Sequence, residues 1–443
     1  MNVLVLCLAL LRPAQDDSIG SYAQELAATR RAGLPTTPAD MKRAPIPRSE
    51  NAAPLYVKLA AMLKARPESN EEDDRITAIK RTAHPTAEQM ARARAVLNAR
   101  RKELALIREI AARPLCRFDR DWSLGPAMQF SELSSMRAAA RLLAGESTLL
   151  LREGRPLDAI RDMASGFTIA SHANQDNMVI GYLVGVAVDA ITVRTLGNFL
   201  GDAGFEPGVA SAVQSAIQNS RHPLSLVDAM RTETLMQIGA AKLVRGKGMA
   251  ELRQLTTGDE PRPALSGKRH QITPSEHRLV EETLDRSGAY LLHKQREIVS
   301  AIALPYPAAK AIFERIDREV EAIRDPHLLL VPAVLPVFAR LPFTYARYQA
   351  KAAVVTVAAA VLDWKTKHGA YPDNLGQAMN PAPTDPFDLK PLRYRQQADG
   401  FVVYSVGETG EFDGNARDQR QYNMESVFRY PAPPFPEAPP PPH

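Results

Sequence analysis

Apolar residues recur along most of this chain at steps of three and four, the period of a helix that packs by one face. Leu55, Leu59 and Leu63 mark a short helix over 52–65, with Ser49-Glu50-Asn51 as its expected cap. Thr86-Ala87-Glu88-Gln89 reads as a capping box. Met90, Leu97, Leu104 and Ala111 follow it at seven-residue steps and predict one long helix to about 112, ended by Pro114. The acidic stretch from Pro67 to Asp74 is expected to be a solvated break between these helices. Two further helices, about 131–152 and 157–172, meet at Gly154-Arg155-Pro156, the punctuation of a helical hairpin.

Met178–Leu200 is apolar over nearly its whole length. Gly181, Gly185, Ala187 and Ala190 suit it to close helix packing, so a buried core helix is expected rather than a membrane segment. Helical patterns continue near 208–219, 223–244, 275–302 and 307–324, with an irregular stretch at 256–274. Almost no period-two alternation occurs between 50 and 330, so residues 49–330 read as one all-α, helical-hairpin domain. The 131–172 hairpin resembles that of tetratricopeptide repeats, without a recurring period across the region. Residues 1–48 read as an apolar N-terminus followed by a Pro- and charge-rich tether.

The pattern changes after Pro332, Pro336 and Pro342. A buried helix over 344–368 ends at Gly369, a left-handed cap, with Lys365, Lys367 and His368 at its negative end. Leu392 and Tyr394 alternate with Arg393 and Arg395, Asp399-Gly400 signals a turn, and Phe401–Val406 returns as a second strand. Helix followed by hairpin makes a small α+β domain over 336–430. Residues 431–443 are too Pro-rich to pack and read as an extended tail. The fold class expected is therefore mainly α, with a long helix packed on an antiparallel sheet at the C-terminal end.

The net charge of +5 is spread along the chain, and no basic tract with interleaved aromatics occurs, so no nucleic-acid partner is expected. Two cysteines, Cys7 and Cys116, exclude a disulfide framework and a Cys-based zinc site. Val3–Leu11 is too short to span a bilayer and suits a signal h-region or the remnant of an anchor. The cell envelope or secretion is the expected location, with the cytoplasm as alternative, and any membrane contact is expected only through that segment. No local catalytic signature stands out. Gly145-Glu146-Ser147 lacks the second glycine of a nucleophile elbow, and Glu281-Glu282 point to different sides of a helix. His270 and His277 flank Glu276 outside any metalloprotease frame, and His84, His172, His222 and His293 read as isolated surface or cap residues.

The order His368-Gly369-Ala370-Tyr371-Pro372, Asp385-Pro386-Phe387, Tyr404-Ser405-Val406-Gly407 and an acidic stretch from Glu408 to Asp418 resembles the C-terminal domain of the type II secretion major pseudopilin. The resemblance covers about 340–430 and implies a helix-on-sheet fold. It also implies a calcium ion in the final loop, held by Ser405, Glu408, Glu411, Asp413, Asn415, Asp418 and Glu425. Pro342–Arg347 lacks the Gly and Glu of a prepilin-peptidase site, so assembly as a pilin subunit is not expected. The function expected is a non-enzymatic envelope scaffold or binding protein with a protein partner. The alternatives are an enzyme, such as a hydrolase, with a site between the two domains, and an accessory of a secretion or pilus-like system.

Overall fold

The computed structural model describes residues 19–247, 274–328, 330–335, 338 and 340–432. The apolar N-terminal run, most of the irregular stretch with His270, and the Pro-rich tail beyond 432 lie outside the described residues. The helices in chain order are α1 (Tyr22–Arg31), α2 (Ala53–Ala65), α3 (Asn70–Arg81), α4 (Ala87–Ala99), α5 (Arg101–Ala111) and α6 (Ser131–Arg152). They continue as α7 (Pro156–Asn174), α8 (Val179–Ala203), α9 (Val209–Ser220), α10 (Leu226–Lys247), α11 (Pro274–Ile302), α12 (Tyr306–Glu321) and α13 (Leu341–His368). An antiparallel sheet of β1 (Arg393–Gln397), β2 (Gly400–Tyr404) and β3 (Val427–Tyr430) follows, with β2 in the middle. The chain is thus mainly helical with one small sheet.

Glycines set how closely the central helices meet. A Cβ on Gly181 of α8 would lie 2.3 Å from the Ala173 carbonyl oxygen at the end of α7, and one on Gly166 of α7 would lie 2.1 Å from Thr192 Oγ1 of α8. Among the described residues α8 alone is long and apolar enough to cross a membrane, and 61% of its most apolar window is buried, as befits a core helix. On its other flank lies α13. A Cβ on Gly197 would lie 3.3 Å from Val355, and one on Gly204 would lie 2.7 Å from Leu362. Both contacts advance by one equal step, so α8 and α13 run parallel, side by side.

The sheet covers the remaining face of α13, and Phe401, Val403 and Phe428 join Val357 and Val361 there. One apolar cluster runs from Leu59 and Phe167 through Phe199 to Phe401, so α13 is shared between the helical layers and the sheet. Gly400 belongs to this fit: a Cβ there would lie 1.7 Å from the Tyr430 carbonyl oxygen across the β2–β3 ladder.

Several local expectations are corrected. The N-cap of α2 is Ala52, whose side chain caps nothing, and Asn51 stands one residue outside. The Asn51 side chain accepts from Ala53 N at 3.1 Å and from Arg117 N at 2.9 Å, and donates to Arg117 O at 2.9 Å, tying the entry of α2 to the segment after α5. The acidic stretch is not a break but the first turn of α3, where Ser69 Oγ accepts from Glu72 N and the acids favour the positive helix end. The long helix predicted to 112 divides at Arg100, whose side chain is 1% exposed. Arg100 donates to the carbonyls of Arg66 and Pro67 at 2.7 and 3.0 Å and to Glu72 Oε2 at 2.6 Å, drawing α4 and α5 onto the α2–α3 turn. The stretch read as tether contains α1, which docks on α11 through Glu25, Thr29 and Arg296. His172 is not a surface residue. It is 2% exposed, with Tyr56 Oη 3.1 Å from Nδ1 and the Arg113 carbonyl 2.8 Å from Nε2, and burial holds its imidazole down at about 4. Strand β3 adds a third strand to the expected hairpin.

Glu233, on α10 where it packs against α11, is half-buried and has no cation partner among the described residues. Burial lifts its carboxyl to about 7. A raised acid gives the folded chain an extra bound proton between that value and its ordinary one near 4, so it adds stability as pH falls through this window. Glu233→Gln is expected to raise stability at pH 8 by on the order of 2 kcal/mol, allowing for partial exposure, and to change little at pH 5. Urea melts at the two pH values check this, and an equal gain at both would refute it.

Candidate functional site

The Asp-Pro-Phe element organises the far end of the molecule. Asp385 is fully buried; its Oδ1 accepts from Phe387 N at 3.0 Å and Ser405 Oγ at 2.9 Å, and its Oδ2 accepts from Val406 N at 2.8 Å. A carboxylate with three donors from two segments fixes where the strand end and the acidic loop begin. Phe387 then projects under Tyr306 at the start of α12, with ring centres 5.0 Å apart and edge to face, and beside Phe343 at the start of α13, 6.0 Å away.

Above these rings lies a cavity of about 370 Å3, where α12, the start of α13 and the loop meet. Its floor and walls include Tyr306, Phe313 and Phe343. Its rim carries the carboxylates of Glu314, Asp317, Glu321 and Glu408 against the cations Lys310 and Arg340. Lys310 lies 3.8 Å from Glu314, so part of the positive charge is already matched. Spacing puts Lys310, Glu314, Asp317 and Glu321 on one face of α12, at successive steps of three and four. Burial, then the like charges of Glu321 and Glu314, hold the Asp317 carboxyl above the usual range. Burial, with Glu408 beside it, lifts the Tyr306 phenol to about 12.

The seven loop positions are placed as follows. Ser405 is buried with its hydroxyl committed to Asp385, and Glu408 lies on the cavity rim. Glu411 is exposed. Asp413 folds back on Asn415, accepting from its N at 2.9 Å and its Nδ2 at 2.8 Å, while Asn415 Oδ1 accepts from Arg395 and Arg429. Asp418 caps the short helix Gln419–Met424 through Gln421 N at 2.7 Å. Glu425 turns towards Lys351 and Arg347 on α13. Among the described residues no three His, Cys, Asp or Glu side chains converge as a metal group. A calcium ion in this loop would have to draw Glu408 off the cavity and Asp413 off its turn. Within the loop, Phe412 N donates to Val406 O at 3.2 Å and Phe412 packs against the Tyr404 ring. A Cβ on Gly414 would lie 2.6 Å from that same ring, and Gly414 holds φ +82°.

No family model, curated protein or solved structure matches the chain. The site rests on its own geometry. Sequence reading singled out Glu408 and Phe387 but missed the wall from α12. The signal was present: Tyr306, Lys310, Phe313, Glu314, Asp317 and Glu321 share one helical stripe in which charge and aromatics alternate instead of segregating.

Proposed function

We propose that the protein is a non-catalytic binding protein of the cell envelope. In this reading the cavity between α12 and the pseudopilin-like module holds a cationic segment, a lysine- or arginine-bearing stretch of a protein partner. The observation that carries it is the pairing of an aromatic floor with a rim of four carboxylates against two cations. Arg347 already lies over the Phe343 ring, and the remaining aromatic lining with the excess negative charge favours an ammonium or guanidinium group over a neutral or acidic one. The raised Asp317 carboxyl supports a second reading, a hydrolase using that group as general acid. In a third reading the partner belongs to a secretion or pilus-like machine.

Glu314 and Glu408 are both exposed, so reversing them leaves the core intact. A labelled peptide of alternating lysine and alanine is expected to bind the full chain, with affinity falling steeply as salt rises. Glu314→Lys with Glu408→Lys is expected to weaken it at least about tenfold. Fluorescence anisotropy measures both, with a glutamate–alanine peptide as control. Equal binding of the two peptides, or an unaffected double variant, overturns the reading.

A further inference from the structure

One to two turns along α13 from Phe343 the charge changes sign. Arg347 and Lys351 are a turn apart on the same face of α13. The parallel packing of α8 on α13, fixed by Gly197 against Val355, brings Arg194 alongside them: Gly197 and Val355 lie three and four residues beyond Arg194 and Lys351. Arg194 is exposed, while Arg347 and Lys351 are half-buried in the seam. Lys80, in the last turn of α3, comes close enough to Arg194 and Arg141 to feel their charge. Four helices from distant parts of the sequence, α3, α6, α8 and α13, thus contribute cations to one region.

Neutralisation is incomplete. Lys80, Arg194 and Arg347 form no ion pair among the described residues; Arg347 lies over the Phe343 ring at 5.2 Å, and Arg141 reaches Glu68 only at 3.9 Å. The acids that face the group are Glu425 towards both Lys351 and Arg347, and Asp73 and Glu68 towards Lys80. Burial, then Arg347 and Arg194, hold the Lys351 ammonium down at about 8 despite Glu425. Cations gathered at this density destabilise one another unless an anion joins them.

We propose that Arg194, Arg347 and Lys351, with Lys80 at the edge, form a binding site for a single phosphate-ester group. Two arginines offer planar, multi-donor contacts to phosphate oxygens, and the lysines add point charge. One helical turn of α13 plus one neighbouring helix spans roughly 10 Å, the scale of one phosphate or diphosphate and too short for a nucleic-acid strand. The site adjoins the cationic-segment cavity, since Arg347 lies over the Phe343 ring that lines it, but neither reading requires the other.

The test uses the full chain and inorganic phosphate, with sodium chloride at matched ionic strength as control. Phosphate is expected to raise the melting temperature saturably and to titrate calorimetrically. Arg194→Gln is expected to lose at least about tenfold in phosphate affinity, while Arg194→Lys retains most of it. Without phosphate, Arg194→Gln is expected to melt higher than the parent, because Lys351 loses a repelling neighbour; a merely structural arginine would give the opposite sign. Flotation with phosphatidylglycerol vesicles separates the sources. Recruitment lost in Arg194→Gln assigns a lipid headgroup, and phosphate binding without recruitment assigns a soluble ester. A chloride effect equal to that of phosphate, or unchanged phosphate affinity in Arg194→Gln, overturns the site.

Discussion

Arg100→Ala is expected to destabilise the protein by about 3–5 kcal/mol. The guanidinium is 1% exposed and bridges the Arg66 and Pro67 carbonyls, Glu72 and, at 3.6 Å, Glu103. Alanine would leave two carbonyls and a partly buried carboxylate without that donor. The loss falls on one joint, where the α2–α3 turn meets the α4–α5 break. Arg100→Lys is expected to recover little, because one ammonium cannot reach carbonyls and carboxylate at once. Urea denaturation of the two variants checks this. A loss below about 1 kcal/mol for alanine would mean that the bridge contributes no more than a surface pair.

Gly181→Val should cost about 3 kcal/mol through overpacking. The atom it would strike is the Ala173 carbonyl oxygen, 2.3 Å from the new Cβ. That oxygen belongs to the backbone near the end of α7 and cannot rotate away, so α7 and α8 must separate or bend. Gly201, on the same helix, has no neighbouring atom within 4 Å of where a Cβ would stand. Gly201→Ala is therefore expected to gain up to about 1 kcal/mol from helix propensity. Opposite signs at two glycines of one helix would tie the effect to packing distance. Thermal melts of the pair decide it, and a neutral Gly181→Val would refute the close approach.

Much of the helical layout was legible because period and punctuation agreed. The hairpin of α6 and α7 follows from Gly154, which holds φ +76°, and from Pro156 at the first helical position. The cap of α13 at Gly369 follows in the same way. What could not be read depended on partners far along the chain. The seven-residue apolar steps from Met90 to Ala111 ran straight through Arg100, since nothing local marks an arginine as a buried bridge. Pro67 to Asp74 looked solvated because its acids carry no apolar stripe, yet Ser69 and the helix dipole suffice to start α3 there. Strand β3 is four residues long and, among the described residues, pairs only with β2, so Val427-Phe428-Arg429-Tyr430 offered too short an alternation to register. For the cavity, Glu408 alone was singled out, and as a calcium ligand, while the α12 wall was not read, because a stripe of mixed charge reads as a solvated face until another element closes over it.

The shared position of α13 bears on how the chain acquires its shape during synthesis. Helix α8 leaves the ribosome long before the stretch that will cover its Gly197–Gly204 flank, and every residue between them must be made in the meantime. Nascent α8 therefore waits with this apolar side bare until Val355 and Leu362 of α13 are made and can seal it.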